Sequence, residues 1–214
     1  MCSNFQPATV KQIAEIIDSQ LDLADLHLQN YSQHVYPKDY CPIIIPSTNG
    51  FEVVRGQFGL SPKWASHPID YSTYNARLES IESKKTFAPP FTHNQFCLVP
   101  MQAFFEPYYL DSADNKNHWQ RIYRQDKAAF TIAGMFEYNE NFDEPAYSFT
   151  LLTHNAGNES FMQRFHRPAK EKRSIYLVDA NKRQDYLQAD YKQITKLMSI
   201  IRGDEFTYEA SDQQ

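Results

Sequence analysis

Two periodicities divide the chain. Val10, Ile13, Ile17 and Leu21 recur at helical spacing behind Thr9-Val10-Lys11-Gln12, which has the form of a capping box, and together they predict a first helix from about Val10 toward Leu28. Beyond it the apolar runs are short and strand-like: Cys41 to Ile45, Phe51 to Leu60, Phe96 to Tyr109, His118 to Arg124, Ala129 to Tyr138, Tyr147 to Thr153 and Ser174 to Val178. Pro37, Pro42 and Pro46 interrupt regular structure, so Cys41 to Ile45 is predicted as a short edge strand. Asn49-Gly50, between Ile43-Ile44-Ile45 and Phe51-Glu52-Val53-Val54, predicts a hairpin. Asn75 is placed to cap a short helix over residues 75 to 80, a second short helix follows Thr153 through Phe161 and Phe165, and Leu187, Tyr191, Ile194 and Ile201 line a closing amphipathic helix stopped near Gly203. Many short strands with few helices imply the α+β class: a single domain over residues 1 to 214, with antiparallel β-sheets forming a barrel-like core flanked by helices.

Composition narrows the function classes. A net charge of −5 excludes broad, sequence-independent duplex binding, which needs a basic excess to neutralise phosphates. Any nucleic-acid site is therefore local. The 14% aromatic content suits packed strands and also stacking on bases. Three cysteines, Cys2, Cys41 and Cys97, make no even disulfide framework and have no CxxC spacing, which implies a reducing compartment and no zinc. No apolar run approaches the roughly 18 residues of a membrane span, and residues 1 to 20 lack the layout of a signal peptide, so the expected location is the cytoplasm.

The candidate chemistry starts at Met1-Cys2. Loss of Met1 leaves Cys2 with an α-amine and a thiol on adjacent carbons, a 1,2-aminothiol that condenses with an aldehyde to an imine and then closes to a thiazolidine. The amine titrates near roughly 7.7–8.0 and the thiol near roughly 8.5 when unperturbed, so both keep a nucleophilic fraction at neutral pH. A merely tolerated second-position cysteine is the plain alternative. Glu106 sits inside the aromatic run Phe104 to Tyr108; strand alternation lets it face solvent or the core, and a buried carboxylate there becomes a proton carrier. His166 either caps helix-end carbonyls or shuttles protons. Trp64 either lids the core or offers a stacking face, Asn75 has its capping role, and Lys170, Lys172 and Arg173 read first as ordinary solvated charge.

Met1-Cys2, Phe58-Gly59-Leu60-Ser61-Pro62-Lys63-Trp64, Asn75-Ala76-Arg77-Leu78-Glu79-Ser80, Phe104-Phe105-Glu106, Thr153-His154-Asn155-Ala156 and Phe165-His166 stand in the order found in the SRAP family, the SOS response-associated peptidase domains or abasic site processing proteins. The chain resembles that family over nearly its whole length. The resemblance implies capture of the ring-opened abasic-site aldehyde in single-stranded DNA as a covalent thiazolidine on Cys2, together with self-removal of Met1 and a weak abasic-site lyase activity. It implies Asn75 holding the sugar and the Cys2 amine, Glu106 managing protons, and His166 opening the sugar. Arg77, Trp64, Thr153 and Arg173 become the expected DNA contacts. The protein is expected to act as a monomer without metal or other cofactor, nucleoid-associated when bound to DNA. An N-terminal-nucleophile hydrolase or amidotransferase and a non-covalent single-strand binder are the competing classes. The chain departs from the family pattern at Ser3-Asn4 in place of Gly-Arg, at His34-Val35-Tyr36-Pro37, at Pro107 in place of a tryptophan, and at Arg173-Ser174-Ile175 in place of Arg-Met-Pro.

Overall fold

The computed structural model describes residues 2–18, 31–48, 50–67, 69–110, 116, 118–141 and 146–211. Its described elements begin with β1 (Phe5–Pro7) and α1 (Val10–Ile17), followed by the hairpin strands β2 (Tyr40–Ser47) and β3 (Gly50–Phe58). β4 (Asn75–Arg77) leads through a 3-10 helix, Leu78–Ser83, to α2 (Ala88–Thr92). The long strand β5 (Phe96–Tyr108) precedes β6 (His118–Arg124), β7 (Phe130–Tyr138) and β8 (Tyr147–Asn155). The chain closes with β9 (Arg173–Ile175), β10 (Leu177–Val178), α3 (Arg183–Leu187) and β11 (Phe206–Ala210).

These eleven strands form one sheet with the path β10-β7-β8-β3-β2-β5-β6-β11, and an extra pairing of β7 with β5 closes five of them into a ring. The expected α+β class holds, and the barrel is a partial ring with strands leaving it at both sides. Strand alternation sorts side chains into two cores: Cys97, Val99 and Met101 of β5 join Ile43, Phe58, Phe149 and Phe5, while Phe96 and Leu98 join Ile44, Met135, Leu152 and Tyr186. The ring closes tightly where Cys97 faces Gly134, since a Cβ on Gly134 would lie 2.8 Å from the Cys97 sulfur.

Several local expectations hold. Thr9 and Gln12 form the full capping box of α1, with Gln12 N donating to Thr9 Oγ1 at 3.3 Å and Thr9 N donating to Gln12 Oε1 at 2.9 Å. The stretch expected to carry this helix past residue 18 lies outside the described residues. The predicted hairpin closes with Ser47 opposite Gly50, whose φ of +112° suits a residue without Cβ.

Other expectations are corrected. β2 is eight residues long and has neighbours on both sides, β3 along its length and β5 at the single pair Ile44↔Leu98; Pro42 and Pro46 cannot donate, which keeps the second contact short. Asn75 is not a helix cap. It starts β4, which pairs parallel with β8, and β3 also runs parallel to β8, so the sheet is mixed rather than purely antiparallel. The helix expected after Thr153 shrinks to the 3-10 turn Met162–Arg164. The closing helix breaks after α3, because Asp190 Oδ1 takes the Lys192 N–H at 2.9 Å and Asn94 Oδ1 takes the Tyr191 N–H at 2.8 Å, diverting donors that a continuous helix needs. β11, at the C-terminal end, carried no sequence signal that separated it from loop.

Candidate active site

The N-terminal arm is held as a strand. Phe5 pairs with Phe104, its N–H donates to Val35 O at 3.2 Å, and Phe105 N–H donates to Asn4 O at 3.0 Å, so the arm lies along β5 next to Glu106. Phe5 anchors it from below, fully buried with its ring 5.3 Å from that of Phe58. Cys2 is thereby carried to 1% exposure. Its Sγ donates weakly to Asn4 O at 3.6 Å.

Asn75 and the charge of Glu106 reach Cys2, and His166 stands against Glu106. Asn75, turned toward the arm by the parallel pairing of β4 with β8, donates its Nδ2–H to the Cys2 carbonyl at 2.8 Å. Its Oδ1 is buried with no hydrogen-bond partner among the described residues, leaving an acceptor inside the site. Glu106 faces inward at 1% exposure, deciding between the two orientations that alternation allowed. His166 Nε2 lies 3.3 Å from Glu106 Oε2 and 3.0 Å from the Arg173 carbonyl. The Arg173 carbonyl is an acceptor, so Nε2 carries the ring hydrogen and Nδ1 holds the lone pair while the ring is neutral.

The electrostatics follow from burial. Desolvation raises the Cys2 thiol well above the ordinary range, and the nearby Glu106 charge adds to the rise. The sulfur therefore rests as a thiol. Desolvation lowers His166, opposed by the Glu106 charge, so the ring is neutral at neutral pH.

His166 owes its place to a segment that sequence reading took for solvated charge. It adopts a left-handed backbone, φ 64°, and donates its N–H to Pro107 O at 2.7 Å. Lys172 Nζ donates to the carbonyls of Phe165 and His166, each at 2.7 Å, and of Arg167 at 3.3 Å. One ammonium thus gathers three carbonyls that a helix would otherwise satisfy. No pattern in the sequence distinguished Lys172 from its neighbours.

The expected DNA contacts divide into two groups. Arg173, expected on the surface, is buried; its guanidinium meets the Glu79 carboxylate, Glu171 Oε1 at 3.1 Å and Thr153 Oγ1 at 3.0 Å. Burial is the strongest single influence and works against that charge, but the Glu79 and Glu171 carboxylates together outweigh it and raise the Arg173 pKa. Thr153 in turn donates to Ala76 O at 3.3 Å, tying this cluster to β4 beside Asn75. Arg77 pairs with Glu171 at 3.0 Å. Trp64 stands apart at 46% exposure with the Lys85 ammonium 4.3 Å from its ring centre, so it is not a core lid. Among the described residues no group of His, Cys, Asp and Glu is arranged to hold a metal ion, and no helix is long and apolar enough to cross a membrane.

Comparison with known proteins agrees with this architecture. The chain is 28% identical over 169 residues to the abasic site processing protein YoqW of Bacillus subtilis, covering 74% of this chain and 71% of that one. It is 30% identical over 125 residues to the abasic site processing protein YMR114C of Saccharomyces cerevisiae, 57% of this chain and 32% of the yeast protein, so the match spans about a third of that relative. A crystal structure of a Bordetella bronchiseptica protein superposes with a TM-score of 0.84 over 99% of this chain and 100% of that one at 22% identity, and one from Bacteroides thetaiotaomicron with 0.78 over 98% and 91% at 20% identity. Both establish the fold. The family model described as SOS response associated peptidase (SRAP) matches residues 1–212, and the chain belongs to that family.

Proposed function

We propose that this protein processes abasic sites in single-stranded DNA by joining Cys2, freed of Met1, to the aldehyde of the opened sugar as a thiazolidine. The observation that carries the reading is that buried Cys2 is held by Asn75 at 2.8 Å and lies within the field of Glu106, which stands 3.3 Å from His166. The names of the Bacillus and yeast relatives, abasic site processing proteins, agree with it.

The order of steps follows from the charges. A thiol raised by burial is a poor first nucleophile, so the amine attacks the aldehyde and forms a carbinolamine. Loss of water then needs one group to accept the amine proton and another to protonate the departing hydroxyl; Glu106 and His166, 3.3 Å apart, serve as that couple. The thiol adds across the C=N bond, its proton passing to nitrogen, and one water is the net product. Asn75 steers the Cys2 backbone, and its unpartnered Oδ1 accepts a hydrogen from the new amine or from the sugar. Arg77 at the end of β4, backed by buried Arg173 and Thr153, is the place for the strand's phosphates, and Trp64 offers an exposed face to a base. Self-removal of Met1 belongs to the same reading.

The test is incubation of protein, its Met1 loss verified by intact mass, with an oligonucleotide carrying one abasic site. The expected result is a heat-stable, gel-shifted adduct that Cys2→Ala abolishes. Correctly processed protein that leaves no adduct, or an adduct that survives Cys2→Ala, overturns the reading. Released ammonia from glutamine would point instead to an amidotransferase.

A further inference from the structure

Arg77 and Arg173 already share an anion. Glu171 places Oε2 3.0 Å from Arg77 Nη1 and Oε1 3.1 Å from Arg173 Nη1, one oxygen to each guanidinium, as the two non-bridging oxygens of a phosphodiester would bridge them. We propose that Glu171 is an internal occupant of the seat for a DNA backbone phosphate, displaced when the strand binds, and so sets the protein's non-covalent affinity for DNA. This inference rests on the DNA-binding reading above and adds to it a residue that reading does not use.

Three features make the carboxylate an occupant rather than a fixture. The outer half of the bridge is open, with the Arg77 and Glu171 side chains 45% and 39% exposed, and ion pairs in such surroundings are weakly held. The inner half does not depend on it, because Arg173, at 3% side-chain exposure, keeps the Glu79 carboxylate and Thr153 Oγ1 when Glu171 leaves. No buried charge is stranded by the exchange. Third, the backbone need not move: Lys172, the next residue, clamps the carbonyls of Phe165 and His166, so rotation of one side chain clears the seat while His166 stays in place.

The consequence is selectivity. Arg77 and Arg173 against Glu79 and Glu171 make a locally neutral group on a chain of net charge −5, so an intact strand is gripped weakly and released. A strand with an aldehyde is retained by the bond to Cys2. Phosphate affinity is held down so that chemistry, not charge, decides which strands stay.

Binding is read by fluorescence anisotropy in a Cys2→Ala background, using a single-stranded oligonucleotide with a tetrahydrofuran abasic analogue, which has no aldehyde, over a series of salt concentrations. Glu171→Gln keeps the side-chain shape and is expected to bind about fivefold tighter near 0.1 M salt, with a log–log salt slope steeper by about 0.7, the value of one more phosphate contact on a single strand. Glu171→Ala, as a second variant, should move in the same direction, and Arg77→Met added to Glu171→Gln should erase the gain. Unchanged affinity and slope in both Glu171 variants, with melting temperatures like the parent, overturn this inference alone. A gain that survives Arg77→Met also overturns it. If the Cys2→Ala parent does not bind the oligonucleotide at all, the inference and the DNA-binding reading fall together.

Discussion

Among the described residues two histidine–glutamate pairs are largely withdrawn from solvent, and they behave differently. His166 Nε2 and Glu106 Oε2 are 3.3 Å apart; His154 Nδ1 and Glu159 Oε1 are 3.1 Å apart, with both side chains similarly withdrawn from solvent. At the second pair burial dominates: desolvation, with some help from the Arg173 charge, lowers His154 to about 4, and desolvation raises Glu159 to about 7. The 3.1 Å distance there does not describe a charge pair near pH 6, where both groups are neutral. His154 stacks on Tyr176 at 4.2 Å, and its Nε2 and Glu159 Oε2 are buried without a hydrogen-bond partner among the described residues. At the first pair the Glu106 charge opposes burial at His166 and reaches the Cys2 thiol as well. The lesson is that the pair itself does not make a site. What differs at the first pair is Cys2, delivered beside Glu106 by another part of the chain.

That contrast can be broken most directly at the two glutamates. Glu106→Gln is expected to slow adduct formation by about 100-fold or more, the usual weight of a positioned acid–base group, whereas Glu159→Gln leaves the rate unchanged. Single-turnover gel kinetics at saturating oligonucleotide would compare them, and equal effects would erase the distinction. Next in size is Lys172→Met, which releases the carbonyls of Phe165 and His166 and should slow the reaction about tenfold through a loosened His166. Partial recovery in Lys172→Arg, with melting temperature nearly constant across the series, separates positioning from lost stability.

The pH dependence of the rate sharpens the first pair. Because burial lowers His166, the acid limb assigned to its protonation should lie below the ordinary histidine value of 6.5. Glu106→Gln removes the charge that opposes the shift, so whatever activity remains should lose that limb to still lower pH. A limb that stays in place would detach His166 from Glu106.

The smallest effects belong to the second pair and are read as melting temperature against pH. Glu159 is raised, so its stabilisation is complete below its ordinary 4.5 and is lost as pH rises through about 7. His154 is lowered, so its contribution is complete above its ordinary 6.5 and is lost as pH falls through about 4. The two slopes oppose each other between those limits. His154→Phe, which retains a ring against Tyr176, should therefore expose a decline in stability with rising pH, and Glu159→Gln a rise.

Much of the scaffold was legible because its signals are local. Capping at Thr9 and Gln12 follows from three-residue spacing, and the nearly continuous apolar and aromatic run from Phe96 to Tyr108 is read as a buried strand without its neighbours. The site was less legible. Motif order named Cys2, Asn75, Glu106 and His166, yet the local reading of Asn75 as a helix cap was wrong, since a three-residue strand has no period of its own and β4 exists only through its parallel pairing with β8. Lys172 and Glu171 were indistinguishable from a solvated basic stretch, because a carbonyl clamp and a bridged pair of arginines are relations across space.

The amino-acid sequence by itself determined where most strands and the first helix form, which face of each is apolar, and that Cys2 follows Met1. Only the tertiary structure decided that Glu106 turns inward, that Asn75 meets Cys2 and His166 meets Glu106, and that Arg77 and Arg173 arrive already neutralised. Periodicity is a property of neighbouring residues. Proximity among Cys2, Asn75, Glu106 and His166 spans more than 150 positions and is created when β5 and β7 close the ring.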